Sequence, residues 1–290
     1  MAVAADTLID EPRRRFSLWQ AIRRNPTITF GAVLLALLVL LAIFGPQFVG
    51  DPFKISPRDR LRPPSERFWF GTDQFGRDVF TRTVWGARVS LIVGLSVAAI
   101  SSILGLALGL LCGYFRRVDG FVMRIMDGVM AIPSILLAIA LITLTKPGLG
   151  IVIVAIVIPE VPRIVRVVRA VVLSIRAQPY VESAIAGGTR SVRLLVRHVL
   201  PNTLAPLIVQ ATFVCASAML IESGLSFLGA GVPPEVPSWG NIIAQGRTFF
   251  QIAPWNILIP GSFLAVTVLA VNLLGDGLRD RLDPRLARRL

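Results

Sequence analysis

Long uncharged runs of apolar residues dominate the chain and predict its secondary structure. A helix needs roughly 20 consecutive apolar residues to cross the hydrocarbon core of a bilayer. Residues 128–145 form a run of 18, which is just sufficient, and residues 147–159 form a run of 13 that ends at Glu160. Longer runs occupy positions 25–50, 89–115, 199–221 and 248–275. In the second long run, Gly105 and Gly109 have the spacing of closely packed membrane helices. The pattern predicts an all-α integral membrane protein.

The number of crossings follows from the charged ends of the chain. An even number puts both arginine-rich ends on one side of the membrane, so we count the short run before Glu160 and expect six transmembrane helices. Pro133 is expected to interrupt the third helix, and Pro159 and Pro162 to kink or break the fourth. The predicted divisions are a cytoplasmic N-terminal tail at 1–25, the first transmembrane helix with an extracytoplasmic segment at 26–87, a five-helix core at 88–277 with an inner loop at 176–201, and a cytoplasmic C-terminal tail at 278–290.

Composition and charge agree with a membrane protein. The 290 residues are 54% hydrophobic and 16% charged, with a mean hydropathy of +0.71, which is too apolar for a soluble domain of this size. With the N-terminus inside, two thirds of the 30 Lys and Arg residues fall in inner segments, as the positive-inside rule describes. The formal charge of +13 therefore lies in loops beside the membrane, and this distribution argues against nucleic-acid binding.

The residues needed for independent catalysis are not found in the sequence. Neither Lys54 nor Lys146 stands in the Gly-Lys-Ser/Thr context of a phosphate-binding loop. The single histidine, His198, offers no metal-protease motif, and Cys112 and Cys215 fall within predicted spans. We therefore expect no catalytic residues, no metal site and no cofactor, and we expect any ATP hydrolysis to be performed by another chain.

A short segment of the inner loop has the sequence of an amphipathic helix that ends in a glycine turn. Pro179 can occupy the first turn without losing a hydrogen bond, and Glu182 lies where the helix dipole favours a carboxylate. Ala184 is small enough for a close approach by a partner, and Gly188 can adopt the left-handed conformation. Tyr180 would be the aromatic anchor of such an interface. The segment is suited to receive movement from a soluble partner; the simpler alternative is an ordinary hairpin between two spans.

The spacing in this loop resembles the coupling loop, or EAA loop, of ABC importer permeases. That pattern is Glu-Ala-Ala, three residues, Gly, nine residues, Ile, one residue and Leu-Pro. Ser183 and His198 depart from it. The matching positions are Glu182, Ala184, Gly188, Leu200 and Pro201. The resemblance implies that the helix couples this chain to an ATP-binding subunit.

The resemblance extends along most of the chain to the second permease subunit of dipeptide, oligopeptide and nickel ABC importers. Its motifs occur in order at 71–78, 86–91, 222–229, 237–241, 272–280 and 283–285. The resemblance implies the type I ABC importer permease fold, with six transmembrane helices in the bacterial cytoplasmic membrane. The implied partners are a homologous permease subunit in a heterodimer, two ATP-binding subunits, an extracytoplasmic substrate-binding protein and a peptide or similar solute.

Two carboxylates at predicted membrane positions are candidates for the pathway or its gate. Glu222, at the outer end of the fifth helix, either lines the pathway and meets a peptide amine or is held by a backbone or hydroxyl partner. Glu160 is not typical of the family, and either pairs with Arg163 or indicates an altered pathway. Arg163, Arg166 and Arg169 recur at three-residue steps and predict a cationic helix face turned to lipid headgroups or solvent.

The extracytoplasmic side carries further polar and aromatic candidates. Asp73 is expected to cap the helix that follows it. Arg77 and Asp78 are expected to form a local ion pair in preference to a substrate contact. Trp239 is expected to be an anchor at the membrane interface rather than a ligand contact.

These observations predict a non-enzymatic permease subunit that forms half of the translocation pathway for di- and oligopeptides in an ATP-driven importer. An importer of nickel or another small solute is the alternative within the same class. A stand-alone secondary transporter is the alternative from a different class, and the predicted coupling helix is the feature that separates the two. The substrate itself stays open among peptides, nickel chelates, opines and oligosaccharides.

Overall fold

The chain folds as a bundle of helices. The computed structural model describes residues 26–145 and 148–282, so the predicted N-terminal tail and residues 283–290 lie outside the described residues. Within the described ranges, the structure outside the helices includes one isolated bridge between Thr72 and Asp78. The helices are α1 (Pro26–Phe48), α2 (Val79–Tyr114), α3 (Arg116–Met130), α4 (Ser134–Thr143), α5 (Leu149–Arg176), α6 (Pro179–Ala186), α7 (Ser191–Leu194), α8 (Leu200–Phe227), α9 (Trp239–Gly246) and α10 (Trp255–Leu282).

Several of these helices can cross a membrane. In the part of the chain that the structure describes, four segments are long and apolar enough: Pro26–Phe48, Val79–Tyr114, Ser191–Phe227 and Trp255–Arg281. The third of these joins α7 to α8 through a π-helical turn at Leu195–Val199. Helices α3 and α4 form a fifth candidate, bent by 87° at a break that contains Pro133. An all-helical, multi-pass membrane protein is therefore confirmed, as is the interruption at Pro133, while six crossings stay a prediction.

Close packing of α2 against α5 forms the centre of the bundle. A methyl group added at Gly105 would lie 2.5 Å from a side-chain carbon of Ile164, and one at Gly109 would lie 2.6 Å from Cβ of Val168. These glycines therefore allow the two backbones to approach, which confirms the prediction from their spacing. The same contact continues one turn further at Gly113.

Helix α5 continues without a break from Leu149 to Arg176, although it contains Pro159 and Pro162. Of the two predicted effects of these prolines, a break in the fourth span is therefore wrong. Packing of the buried α5 face against α2 and α8 holds the helical course through both positions. Helix α5 is long enough to span a bilayer, but its charged residues distinguish it from the four strongly apolar segments.

Helix α9 and the segment before α2 close the outer end of the bundle. Asp78, not Asp73, caps α2, because its carboxylate accepts hydrogen bonds from the backbone N–H groups of Phe80 and Thr81. Trp239 is fully buried, and its Nε1 donates to the carbonyl of Thr83 at 2.9 Å. The prediction that Trp239 anchors the protein at the membrane interface is therefore wrong: this side chain joins α9 to α2.

Candidate functional site

Helix α6 lies in the inner loop between α5 and α7, with one side turned to the bundle. Pro179 is in its first turn, as predicted, and Val181 is fully buried. Ala184 is half-buried and packs against the hydrophobic core, so its small side chain faces the bundle. Tyr180 and Ile185 are each 47% exposed. The helix is thus held by its buried side and offers its other side for contact.

A glycine turn fixes the end of α6. Gly188 has a φ of +77°, as predicted, in the left-handed region that favours glycine. Its N–H donates to the carbonyl of Ile185 at 2.9 Å, and the N–H of Thr189 donates to the carbonyl of Ala184 at 3.0 Å. These two bonds form a Schellman motif, which satisfies carbonyls that a helix end would leave without donors. The turn sets the direction in which the chain leaves α6.

Exposed apolar side chains and arginines occur together on the inner loop. We define the inner patch as Tyr180, Ile185, Val192 and Val196, of which Val192 and Val196 are 72% and 58% exposed. Exposed arginines stand between and beside them at Arg190, Arg193 and Arg197. Glu182 is also exposed and forms no ion pair within the described part of the chain. Apolar residues rimmed by charges are typical of a protein-binding surface.

The remaining residues of the predicted loop motif lie where the chain returns to the bundle. Leu200 and Pro201 form the first turn of α8, directly after the π-helical turn. The ring of His198 lies 6.1 Å from the ring of Tyr180, measured between centroids. Tyr180 and Asn202 also line an open cavity of about 500 Å³ between the end of α5 and the start of α8. The motif residues therefore belong to two adjacent elements rather than to one helix face.

The arginines of α5 form ion pairs with α3. Arg166 Nη2 lies 2.6 Å from Oδ1 of Asp127, and Arg169 donates to both carboxylate oxygens of Asp119, at 2.5 and 2.7 Å. The predicted exposed cationic face is confirmed for Arg163 and Arg166, which are exposed, whereas Arg169 is half-buried against Asp119. The partners of Arg166 and Arg169 lie 39 and 50 residues away in sequence. The pairs fix the position of α3 along α5.

Glu160 is buried in the middle of α5. The residue is 1% exposed, and its Oε1 accepts a hydrogen bond from Nη1 of Arg163 at 2.9 Å, so the predicted pairing is present. The carboxylate also interacts with the hydroxyl of Ser217 on α8, while its Oε2 forms no hydrogen bond of normal geometry among the described residues. A buried carboxylate with one open oxygen retains the capacity to accept a further donor.

Glu222 is buried at the outer end of α8. It is 1% exposed, and its Oε1 accepts hydrogen bonds from the hydroxyls of Ser226 at 2.9 Å and Ser238 at 2.8 Å. These contacts agree with the second predicted alternative, in which hydroxyl partners hold Glu222. Its Oε2 has no partner within the described ranges and faces Gly240, where an added methyl group would lie 3.2 Å away. The carboxylate thereby joins α8 to the start of α9.

A buried polar network lies beside the outer end of α2. Arg77 Nε and Arg82 Nη1 each donate to Oδ2 of Asp73 at 2.6 Å. Both arginines also donate to Oε1 of Gln245, at 2.6 and 2.9 Å. The predicted Arg77–Asp78 pair is therefore wrong, because Asp78 caps α2 while Asp73 binds the arginines. Sequence reasoning missed Arg82 and Gln245, since a partner 163 residues away leaves no local signal.

Together these features define the class of the protein: a multi-pass membrane protein with an exposed short helix in the loop between two long helices. The chain belongs to the family of binding-protein-dependent transport system inner membrane components, whose profile matches residues 105–288. The N-terminal transmembrane domain of oligopeptide transport permease C matches residues 15–64. The family predicted from the sequence is therefore confirmed.

Individual relatives match the whole chain. It is 54% identical to a probable peptide ABC transporter permease protein of Sinorhizobium fredii, with 100% of both chains covered. It is 42% identical to the dipeptide transport system permease protein DppC of Alkalihalophilus pseudofirmus, over 92% of this chain and 89% of the relative. It is 36% identical to the oligopeptide transport system permease protein OppC of Bacillus subtilis, over 95% and 92%.

A solved structure supports the fold. A chain of the MetNI methionine ABC transporter, in an inward-facing conformation, matches 70% of this chain and 96% of its own length with a TM-score of 0.58. The two are 20% identical, so this likeness concerns the fold alone.

Proposed function

We propose that this chain is the membrane subunit of an ATP-driven importer of di- and oligopeptides, and that α6 receives movement from an ATP-binding subunit. The observation that carries the proposal is the inner patch, an apolar surface formed by α6 and by the segment that follows its glycine turn. Family membership and the printed names of the relatives, which refer to peptides and dipeptides, support the substrate class.

The residues of the loop divide between contact and support. Tyr180 and Ile185 present exposed apolar area on α6, and exposed Glu182 adds a charge for a basic partner. Val181 attaches the helix to the bundle, and Gly188 sets its exit angle. A push on α6 therefore acts on a firmly attached element rather than on a loose loop. Leu200 and Pro201 then transmit the displacement into α8, because they form its first turn.

Family membership supports the following assembly. A homologous permease subunit forms the other half of the pathway, two ATP-binding subunits hydrolyse ATP on the cytoplasmic side, and an extracytoplasmic binding protein delivers the substrate. This chain performs no catalysis. It crosses the bacterial cytoplasmic membrane six times with both termini inside, and α5 is one of the six crossings. Pairing of its charges with Asp119, Asp127 and Glu160 lowers the cost of placing α5 in the bilayer.

Glu222 and Glu160 are the pathway or gate candidates. Each is buried in the described conformation and has one carboxylate oxygen that forms no hydrogen bond of normal geometry among the described residues. A conformational change that separates α8 from α9 would expose Glu222 to a peptide amine on the outer side. Glu160 lies deeper, where a separation of α5 from α8 would expose it.

The test is uptake by the complete transporter in proteoliposomes, with labelled dipeptide, binding protein and internal ATP. We expect uptake that requires ATP and the binding protein, and a Tyr180→Ala variant that loses ATP-driven uptake while remaining inserted. Phe121→Ala is the matched control, because Phe121 is an exposed aromatic residue (70%) that belongs to α3 and is not a member of the inner patch. Uptake driven by an ion gradient without ATP would instead establish the secondary transporter. Competition by nickel chelates, with none by dipeptides, would reassign the substrate.

A further inference from the structure

The network of Asp73, Arg77, Arg82 and Gln245 is short of negative charge. Its two arginines share a single carboxylate, which leaves a formal charge of +1 on these groups. Asp73, Arg77 and Arg82 are 4%, 7% and 1% exposed, so water does not screen them as it would at the surface. Removing an uncompensated charge from water costs several kcal/mol, about the size of a whole domain's stability. An additional anion would offset this cost.

The side chain of Arg82 has a specific place for that anion. Its Nη1 is occupied by Asp73 and Gln245, while Nε and Nη2 have no hydrogen-bond acceptor in the part of the chain that the structure describes. Nε and Nη2 lie on the same edge of the guanidinium. Two parallel N–H groups on one edge match the two oxygens of a carboxylate.

A cavity of about 300 Å³ lies next to this network. It is lined by Gln245 and Asn241 of α9, by Ser226 near the end of α8 and by Arg247, which directly follows α9. Gln245 is thus shared, since its Oε1 accepts from both arginines and its side chain also lines the cavity. Neither arginine lines the cavity, so Gln245 is the residue that belongs both to the network and to the cavity wall.

We propose that the Nε–Nη2 edge of Arg82, which is closed off in the described conformation, is a binding site for a carboxylate that becomes accessible from the neighbouring cavity when the side chain of Gln245 moves aside. The ligand is either a small free carboxylate or the C-terminal carboxylate of a transported peptide. The second source rests on the proposed function, whereas the first does not.

The direct test is thermal unfolding of the purified complete transporter with increasing sodium acetate, compared with sodium chloride at equal ionic strength. We expect acetate to raise the unfolding temperature of the wild type more than chloride does, because ligands of the folded state stabilise it. Arg82→Lys keeps the charge but loses the paired N–H edge, so the affinity for acetate should fall at least about tenfold, the effect of one lost hydrogen bond to a charged group.

Arg88→Met is the matched control. Arg88 lies on the same helix, is exposed and forms no hydrogen bond or ion pair within the described residues, so this variant should keep the acetate effect. An equal acetate effect in the wild type and Arg82→Lys would overturn the proposal. So would a chloride effect as large as that of acetate, because it would indicate screening rather than a carboxylate site.

The source of the carboxylate is distinguished in the same assay with a dipeptide and its C-terminal amide. If the dipeptide stabilises the transporter but its amide does not, and Arg82→Lys loses this effect, then the site binds the C-terminal carboxylate of the substrate. Stabilisation by acetate, with the dipeptide no better than the amide, assigns it to a small ion. Failure of the proposed function is visible separately, as the absence of ATP-driven peptide uptake in the wild type.

Discussion

Replacement of Gly188 tests whether the end of α6 must keep its conformation. Its φ of +77° is costly for other residues, and the left-handed conformation costs about 1–2 kcal/mol for a residue with a Cβ. An added methyl group would meet nothing within 4 Å, so steric contact contributes nothing further. A cost of that size reduces the population of the native turn conformation, relative to altered conformations, by a factor of about 5–30. We expect Gly188→Val to insert and assemble but to lose most of its coupling.

The assay is the number of substrate molecules imported per ATP hydrolysed by the complete transporter in proteoliposomes. Gly188→Asn should be affected less than Gly188→Val, because asparagine tolerates the left-handed region. Gly187→Ala is the control: its φ is −76° and its nearest added contact is an ordinary 3.4 Å, so coupling should be normal. Normal import per ATP in Gly188→Val would refute the reasoning.

Three further outcomes are expected from the packing and the polar contacts. Gly109→Leu should lower the unfolding temperature in detergent, since overpacking costs about 1–3 kcal/mol. Gly128→Leu is the control and should leave the unfolding temperature unchanged, because a methyl group at Gly128 would meet nothing within 4 Å. Equal effects of the two substitutions would contradict the close α2–α5 contact. The ion pair of Arg169 and Asp119 is part-exposed and contributes up to about 1 kcal/mol to the free energy of unfolding. A double-mutant cycle should therefore show coupling between the two residues, and strictly additive effects would contradict their interaction. Trp239→Phe should lower the free energy of unfolding by about 1–3 kcal/mol, because the buried carbonyl of Thr83 loses its donor. Ready quenching of Trp239 fluorescence by acrylamide in the wild type would contradict the burial of this side chain.

Local sequence signals predicted the helices and their close contacts well. Apolar runs located α1, α2, α8 and α10, because burial in lipid requires the same length and composition wherever the helix packs. The conformation of Gly188 was predictable for a similar reason: a turn after a short helix depends on its own few residues. The interruption at Pro133 followed from backbone chemistry.

Predictions that depended on distant neighbours were less accurate. The spacing of Arg166 and Arg169 showed that they share a face, but not that each would pair with an aspartate of α3. The burial of Trp239 depends on its contact with Thr83, 156 residues away. Hydropathy describes the average preference of a segment for lipid or water. The burial and pairing of these side chains depend instead on single partner residues that are distant in sequence. The effect of the α5 prolines was overestimated because tertiary packing opposes it.

Those prolines nevertheless change how α5 responds to force. Neither Pro159 nor Pro162 has an N–H, so the carbonyls one turn earlier, at Ala155 and Ile158, receive no helical hydrogen bond. Two axial bonds are thus missing within a single turn, and the bending stiffness of the helix is lowest beside Glu160. A helix that lacks these two hydrogen bonds bends near its midpoint while its two halves stay straight. A displacement at the end of α5 that adjoins α6 would therefore reach its other half as a change of tilt.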